Sequence, residues 1–377
     1  MKQTARIIST YSADVFGVCS ALYELGGMCV MHDASGCNST YSTHDEPRWY
    51  DMDSMVYISA VSEMEALMGD DEKLIGDIVR TAADLHPKFI AIAGTPIPTM
   101  TGFDFRAVAS LIEQRTGIPA FGFPTTGMNT YVRGASMALA AVAERFVENR
   151  EKVPNGVNIL GLTPLDFSVN GADRSIAAFL EEHGFRVVSR WAMGCDLEAL
   201  SRAAEAQVNL VVSAAGLGAA KELRERFGIP YVVGVPIGAK QKERLSDMLR
   251  KATADGKNRI CRGESVGDIA VIGEGVNSLA LAAAIELETG RGARVLCATE
   301  CDNSILRPGD LLTPDEDDII PALSDVKTVV ADPLYKPICP PEARFVPLPT
   351  EAFSGRIFRK QIPNLIADFD SIQKEVE

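Results

Sequence analysis

Apolar strands that end in glycine-containing turns and continue into helices recur along this sequence, and they limit the folds that the chain can adopt. The pattern occurs at KFIAIAG (88–94), at NGVNILGLTPLDFS (155–168) and at DIAVIGEGVNSLALAAAIELETG (268–290). Strands that are apolar at nearly every position and alternate with amphipathic helices are typical of parallel sheets covered on both faces. The sequence therefore predicts an α/β protein built from three such units.

Two polar, loop-forming stretches divide the 377 residues, a length that suggests two or three domains. ENREKVPNG and KATADGKNRICRGE place boundaries near 150–155 and 250–265. We expect an N-terminal α/β domain at 1–152, a second at 153–262 and a third at 263–377. Each glycine-containing turn follows a strand at its carboxyl end, which is where open α/β sheets bind their ligands.

Charge and hydropathy exclude several classes of protein. A net charge of −14 argues against nucleic-acid binding, because phosphates would be repelled. No apolar run is long enough to cross a bilayer, and no basic segment precedes an apolar core as in a signal peptide. We therefore expect a cytoplasmic protein with no membrane partner. The eight cysteines are then better explained as thiols or metal ligands than as disulfides.

Two motifs in the last third of the chain partly match known binding motifs, one for a dinucleotide and one for zinc, but both are incomplete. Gly273-Glu-Gly275 follows a strand as in a dinucleotide loop, but Asn277-Ser278 replaces the third glycine and Glu274 would repel a pyrophosphate. Cys297 and Cys301 form a C-x3-C pair, CATEC, with no second pair nearby to complete a zinc module. A nucleotide site is therefore not our prediction.

The N-terminal cysteines are the best candidates for metal chemistry. Cys19 lies in a predicted helix, Cys29 begins a short strand, and Cys37 follows Ser35-Gly36 at a turn. A thiolate behind a glycine meets exposed backbone N–H groups, which lower a thiol pKa and can bond to cluster sulfides. Cys37 is thus either an ordinary turn thiol or an iron–sulfur ligand, and the residues alone leave both interpretations open.

HDASGC (32–37), followed by STYSTHDEP, resembles the segment around the interface-cluster cysteine of nitrogenase component 1-like proteins. The stretches that begin at NILGLTPLDFS and DIAVIGEGVNSLAL resemble the second and third domains of the same family, in the same order. The resemblance implies three Rossmann-like α/β domains and a pair of identical or homologous subunits. It also implies an iron–sulfur cluster at the subunit interface that an ATP-dependent iron protein reduces.

The chain departs from the family at two cluster positions. Cys37 matches the family's Gly-Cys ligand, but the first ligand should fall near Ser12–Asp14 and the third after KFIAIAG, where Thr95 stands without a thiol. A cluster with six thiolates is therefore not expected. What the resemblance still allows is a smaller [4Fe–4S] cluster across a homodimer, with Cys37 of both subunits joined by two of Cys19, Asp14 or Cys29.

A third departure concerns the substrate. The catalytic nitrogenase subunit has a cysteine just after the strand that matches NLVV, and here that position is Ser213. A hydroxyl is a poor ligand for a soft metallocofactor, so dinitrogen reduction is not predicted. We expect a substrate cleft at strand ends, whose lining includes Thr95, Ser213, Gly216, Gly273 and Asn277. Cys195 either lines the same cleft or is a turn thiol.

Two functions remain open at this point. The first is a reductase component that accepts electrons through an interface cluster and reduces a small, tetrapyrrole-like molecule. The second is a non-enzymatic scaffold or carrier for a metallocofactor or tetrapyrrole that has lost the cluster.

Overall fold

Three parallel β-sheets surrounded by helices form the protein. The computed structural model describes residues 5–34, 36 and 38–377. The strands are β1 Met28–His32, β2 Met55–Ile58, β3 Ile90–Gly94, β4 Ala120–Phe123, β5 Gly156–Leu160, β6 Arg186–Arg190, β7 Val208–Val211, β8 Tyr231–Val233, β9 Arg259–Ile260, β10 Ile269–Gly273, β11 Ala293–Cys297, β12 Leu311–Leu312, β13 Thr328–Ala331 and β14 Arg344–Pro347.

The strand orders are β2-β1-β3-β4 in the first sheet, β6-β5-β7-β8-β9 in the second and β12-β11-β10-β13-β14 in the third. The strands pair in parallel, with β1 in register with β3 from Met28 opposite Ile90 to His32 opposite Gly94. The central strands β3, β5 and β10 are buried at every position. Parallel strands are covered on both faces in this way because helical crossovers connect them. The predicted α/β class is confirmed.

The α-helices connect the strands and cover the sheets. They are α1 Asp14–Leu22, α2 Glu63–Met68, α3 Asp71–Leu85, α4 Pro96–Thr101, α5 Phe105–Thr116, α6 Tyr131–Phe146, α7 Pro164–Phe167, α8 Ala172–Glu182, α9 Leu197–Ser201, α10 Leu217–Phe227, α11 Ala239–Asp255, α12 Gly275–Thr289, α13 Glu316–Ala322, α14 Glu351–Ser354 and α15 Asp370–Val376. A π-helical turn at Tyr41–Asp45 follows β1. None of the helices in the described ranges has the length and hydropathy to cross a membrane.

The three sheets share one continuous hydrophobic core. Leu139 of α6, Leu210 of the second sheet and Val271 of the third belong to the same cluster of buried side chains. The N-terminal segment also reaches α13, because the backbone N–H groups of Ile7 and Ile8 donate to the Glu316 carboxylate. The strands of the sheets occupy 28–123, 156–260 and 269–347. The exact domain boundaries at 152 and 262 stay predictions.

Candidate functional site

A small cavity lies where elements from all three units meet. It has a volume of about 60 Å³, and its lining includes Tyr131 at the start of α6, Asp166 in α7, and Gly273 and Asn277 around the end of β10. We call it the inner cavity. Such a volume holds a few water molecules and is far below the size of a pocket for a larger ligand.

Asp166 is an acidic side chain at this cavity. Its carboxylate accepts hydrogen bonds from the Tyr131 hydroxyl and, at 2.7 Å, from the Thr163 hydroxyl. Burial, and next the negative charge of Glu274, raise the pKa of Asp166 to about 7. Both causes act by disfavouring the ionised form. Asp166 can therefore hold or release a proton near neutral pH, which is the property that general acids need.

Glu274 lies at the start of α12, directly after β10. Its carboxylate accepts from the backbone N–H groups of Val276 at 3.0 Å and Asn277 at 2.8 Å, and from that of Ala214 at 2.9 Å. A pyrophosphate at this helix N-terminus would need the same donors. The side chain thus takes the place of an anion and ties the turn after β7 to the third sheet.

A second, open pocket of about 630 Å³ shares Tyr11 with the inner cavity, since this residue lines both spaces. We call it the outer pocket. Its lining includes Ser12, His44, Asp45 and Arg356. The Ser12 hydroxyl donates to the Asp45 carboxylate, and His44 Nδ1 lies 3.5 Å from the same oxygen.

Asp45 controls the charge of His44 in the outer pocket. The hydrogen bond with Asp45 raises the pKa of His44 above its ordinary value, against the opposing effect of partial burial. Gly355 packs directly against the imidazole: a Cβ at this position would lie 2.2 Å from the ring, and its φ of +51° also favours glycine. A cationic imidazole and the exposed Arg356 guanidinium can together bind a carboxylate.

Comparison with models of protein families gives a match for this chain. The model described as nitrogenase component 1 type oxidoreductase matches residues 15–278. The chain belongs to this family. Members of the nitrogenase component 1 type oxidoreductase family typically bind iron–sulfur clusters.

Curated relatives are distant. The nitrogenase iron-molybdenum cofactor biosynthesis protein NifE of Clostridium pasteurianum is 27% identical over 176 residues, which are 45% of this chain and 37% of that protein. A component of the light-independent protochlorophyllide reductase of Nostoc punctiforme is 26% identical over 204 residues, which are 50% of this chain and 39% of that protein. The alignments thus span less than half the length of these relatives.

A solved structure supports the fold over the whole chain. Nitrogenase Cp1 at pH 5 superposes with a TM-score of 0.67 and 15% sequence identity, covering 100% of this chain and 90% of that one. At this identity the likeness shows the architecture alone.

The predicted cleft residues occupy different places in this nitrogenase-like fold. Gly273 and Asn277 line the inner cavity. Ser213 is buried beside it, where its hydroxyl hydrogen-bonds to Asp166. Gly216 packs on the backbone of β5, where a Cβ would lie 2.5 Å from a carbonyl group. These four positions are brought together at the junction, and their role in substrate binding stays a prediction.

Thr95 and Cys195 have other surroundings. The Thr95 side chain is buried and donates to the His32 carbonyl at 3.1 Å. Cys195 lies in the turn after β6, where its sulfur contacts the Asp196 carbonyl at 3.4 Å and burial raises its pKa to about 11. These contacts favour the interpretation of Cys195 as a turn thiol over that of a cleft residue.

Cys19 and Cys29, two of the predicted metal ligands, face each other in the core. Cys19 on α1 and Cys29 on β1 are 0% and 2% exposed. Their mutual hydrogen bond, together with burial, raises the pKa of Cys19 well above its ordinary value. A buried thiol that resists ionisation is a poor starting point for cluster ligation, because the thiolate is the ligand.

Asp14 and Cys37 complete the predicted set. The Asp14 carboxylate accepts from the backbone N–H groups of Thr126 and Gly127 and from the Asn129 amide, at 3.1, 2.8 and 2.9 Å. Cys37 lies outside the described residues. Among the residues that the structure does describe, no three His, Cys, Asp or Glu side chains are grouped so as to hold a metal ion. These side chains therefore do not by themselves fit a four-ligand cluster, and ligation by Cys37 stays a prediction.

Asp166 was not among the residues predicted from the sequence. A signal was present, since TPLDFS places an acidic residue shortly after the buried strand NILGL, at its carboxyl end. Only the packing of α6 and β10 against this turn supplies Tyr131 and Glu274, which surround the carboxyl.

Replacing Asp166 by Asn should flatten the dependence of stability on pH. Because the pKa of Asp166 is raised on folding, the folded state binds its proton more tightly, so its contribution to wild-type stability should fall as pH rises from about 4 to 7. The largest slope from one such group is about 1.4 kcal/mol per pH unit. Urea denaturation at a series of pH values measures the difference.

Asp255→Asn is the control for this series. A hydrogen bond from Arg259 holds the pKa of Asp255 well below its usual range, so this carboxylate stays ionised between pH 4 and 7 in the folded protein. Its variant should keep the wild-type slope over most of this range. Equal slopes for wild type and Asp166→Asn would show that the pKa of Asp166 is ordinary.

Proposed function

We propose that this chain is the substrate-reducing component of a nitrogenase-like oxidoreductase, acting on a small molecule other than dinitrogen. The observation that carries the proposal is Asp166, a carboxyl poised to exchange a proton near neutral pH at the meeting of the three sheets. Reduction of a double bond consumes two electrons and two protons, so such an enzyme needs a protected proton store near its substrate.

The chain's own residues would bind the substrate and hold protons. The outer pocket has the volume of a small-molecule site, and His44 and Arg356 favour a substrate that carries a carboxylate, as tetrapyrroles do. Asp166 would hold protons at the inner cavity, which shares the Tyr11 wall with the outer pocket. Ser213 offers a hydroxyl rather than a thiolate, which argues against a nitrogenase-type metallocofactor and hence against dinitrogen.

Electrons would come from an ATP-dependent iron-protein-like partner through a [4Fe–4S] cluster between two identical or homologous cytoplasmic subunits. Cys37 is the ligand on which this part of the proposal depends. Cys19, Cys29 and Asp14 are engaged in internal contacts, so any of them would have to give up a partner to bind iron. We therefore assign the proton and substrate steps to the described residues and cluster ligation to Cys37.

Anaerobic purification, iron quantitation and electron paramagnetic resonance test the proposal. Wild-type protein reconstituted with iron and sulfide should hold about one cluster per dimer, and Cys37→Ala should lose most of that iron. Cys339→Ala, which removes a half-buried thiol far along the chain, should keep it. Iron well below one cluster per dimer, together with no change in Cys37→Ala, would rule out the electron-accepting role.

A scaffold or carrier for a metallocofactor or tetrapyrrole is the second candidate. The observation that favours it is that Cys19, Cys29 and Asp14 all make contacts within the protein instead of facing a ligand. In addition, one relative is itself named a cofactor biosynthesis protein. A carrier would be colourless as purified and would gain thermal stability from a carboxylate-bearing tetrapyrrole, because a ligand that binds only the folded state raises apparent stability. Substrate turnover with an iron protein and ATP would eliminate this candidate.

A further inference from the structure

We propose that Cys297 and Cys301 form a redox-active dithiol that exchanges with low-molecular-weight disulfides to give an internal disulfide. This site is separate from the proposed reductase chemistry and does not depend on it. Cys297 ends β11 and Cys301 follows in the turn that leads away from the third sheet. The pair is the C-x3-C motif for which the sequence offers no zinc partner.

The two sulfurs converge on the first residue of α12. A Cβ placed on Gly275 would lie 2.6 Å from Cys301 Sγ and 3.2 Å from Cys297 Sγ. Each sulfur also contacts a backbone carbonyl of the same turn, that of Thr299 at 3.4 Å for Cys297 and that of Asp302 at 3.8 Å for Cys301. Both sulfurs thus lie within 3.2 Å of one point, and the two thiols hydrogen-bond to each other. Such proximity is the first requirement for a disulfide.

The surroundings of the pair disfavour the thiolate form of Cys301. The hydrogen bond with Cys297, burial and the charges of Glu274 and Asp302 together raise the pKa of Cys301 well above its ordinary value. Proteins that stabilise a thiolate make their disulfides easy to reduce, and a site that disfavours the thiolate has the opposite effect. The disulfide, like the protonated thiols, carries no charge and is therefore compatible with this site.

An external reagent reaches the pair from the Cys301 side. Cys301 lines an open cavity of about 290 Å³, together with Arg133 and Lys221, whereas Cys297 is 0% exposed. Glu300 and Asp302 line the same cavity, and Asp302 pairs with Lys221 at 2.8 Å, so the cavity offers access to Cys301 rather than a positive charge. Cys301 is thus the thiol that an external disulfide meets first, and Cys297 is the thiol that completes the reaction.

The exchange has two steps. Cys301 loses its proton to solvent, a step that its raised pKa makes slow at neutral pH and faster at alkaline pH. Its sulfur then attacks one sulfur of the external disulfide, whose other half leaves and takes up a proton as a thiol. The Cys297 sulfur, having lost its proton, then attacks Cys301 Sγ and displaces the second half as a thiol. Two S–H bonds in the protein are replaced by one S–S bond, and the external disulfide is reduced to two thiols.

The position of the pair connects its redox state to the junction of the three units. Glu300 accepts from the Thr130 N–H at 3.1 Å, just before α6, and Asp302 pairs with Lys221 of α10 at 2.8 Å. Cys301 lies between these two contacts in sequence. Disulfide formation therefore constrains the turn that holds the third sheet against both of the others.

Mass spectrometry after exposure to excess oxidised glutathione, acid quenching and alkylation tests the proposal. Both cysteines fall in one tryptic fragment, residues 295–327, which contains no other cysteine. In the wild type this fragment should lose two hydrogens and escape alkylation, and dithiothreitol should restore both thiols. Cys301→Ser should abolish the loss, whereas Cys339→Ser should leave it unchanged.

Three outcomes would overturn the proposal. The first is that Cys297 and Cys301 are both alkylated although Cys195 or Cys339 of the same protein has reacted with glutathione, which shows that the reagent was active. The second is a glutathione adduct that persists on Cys301. The third is a disulfide between two chains, seen as a dimer on a non-reducing gel. Because the assay reads the chemistry of one fragment, its result is the same whether or not the protein binds a cluster or turns over a substrate.

Discussion

Arg48→Ala is expected to lower the free energy of unfolding by about 3–5 kcal/mol, the usual cost of leaving a buried charge without its partner. The Arg48 guanidinium donates to both oxygens of Glu46, at 2.7 and 2.8 Å, and the two side chains are 5% and 0% exposed. It also donates to the backbone carbonyls of Ser20 and Ala192 at 2.8 Å. Removal of the guanidinium leaves the buried Glu46 carboxylate without a cationic partner. It also removes the hydrogen bond from Arg48 to the Ala192 carbonyl, which follows β6 of the second sheet. The midpoint of urea denaturation measures the loss.

Two variants separate the effect of burial from that of charge. Arg115 makes an equally short pair with Glu72, at 2.7 and 2.8 Å, but on the surface, so Arg115→Ala should shift the midpoint of urea denaturation far less than Arg48→Ala. Arg48→Lys keeps the charge but loses the planar fork, and it should restore only part of the stability. Equal losses for Arg48→Ala and Arg115→Ala would contradict a buried network around Glu46.

Gly134→Ala should cost about 3 kcal/mol or more, because overpacking against backbone atoms outweighs the better helix propensity of alanine. A Cβ on Gly134 of α6 would lie 1.8 Å from the Asp14 carbonyl oxygen of α1, and Gly17 of α1 meets the Tyr131 carbonyl oxygen in the same way at 2.0 Å. Since backbone atoms cannot rotate away, the two helices must separate. Thermal and urea denaturation report the change.

Gly76→Ala provides the matched control, since Gly76 lies within α3 and a Cβ there would meet nothing within 4 Å. Helix propensity then acts alone, and stability should rise by about 0.5–1 kcal/mol. If both substitutions raise stability, α1 and α6 do not make this close contact in the folded protein.

The sequence predicted the fold best where the burial of a strand is visible as a run of apolar residues. β3, β5 and β10 are buried on both faces, so their near-continuous apolar runs predicted parallel strands and three sheets. The same logic placed Gly273 and Asn277 at a strand end, and both line the inner cavity. Periodicity and turn residues are local properties, and they can be read without knowledge of the partners in space.

Contacts between distant side chains were harder to predict. Cys19 and Cys29 were proposed as ligands from their residue type, but whether two thiols face a ligand or each other depends on how α1 packs on β1. Asp166 shows the same limit, because its pKa depends on Glu274 and its hydrogen bond on Tyr131, and neither is near it in the chain.

The sequence by itself determined the alternation of strands and helices, the lack of a third glycine in the dinucleotide-like loop and the presence of a C-x3-C pair. Tertiary structure decided that Glu274 takes the place of an anion, that Cys297 and Cys301 meet at Gly275, and that Tyr11 lines two pockets. The physical reason is that hydrogen bonding, burial and charge act over a few ångströms in space. Side chains that belong to three different sheets come within a few ångströms of each other only after the sheets have packed around one core.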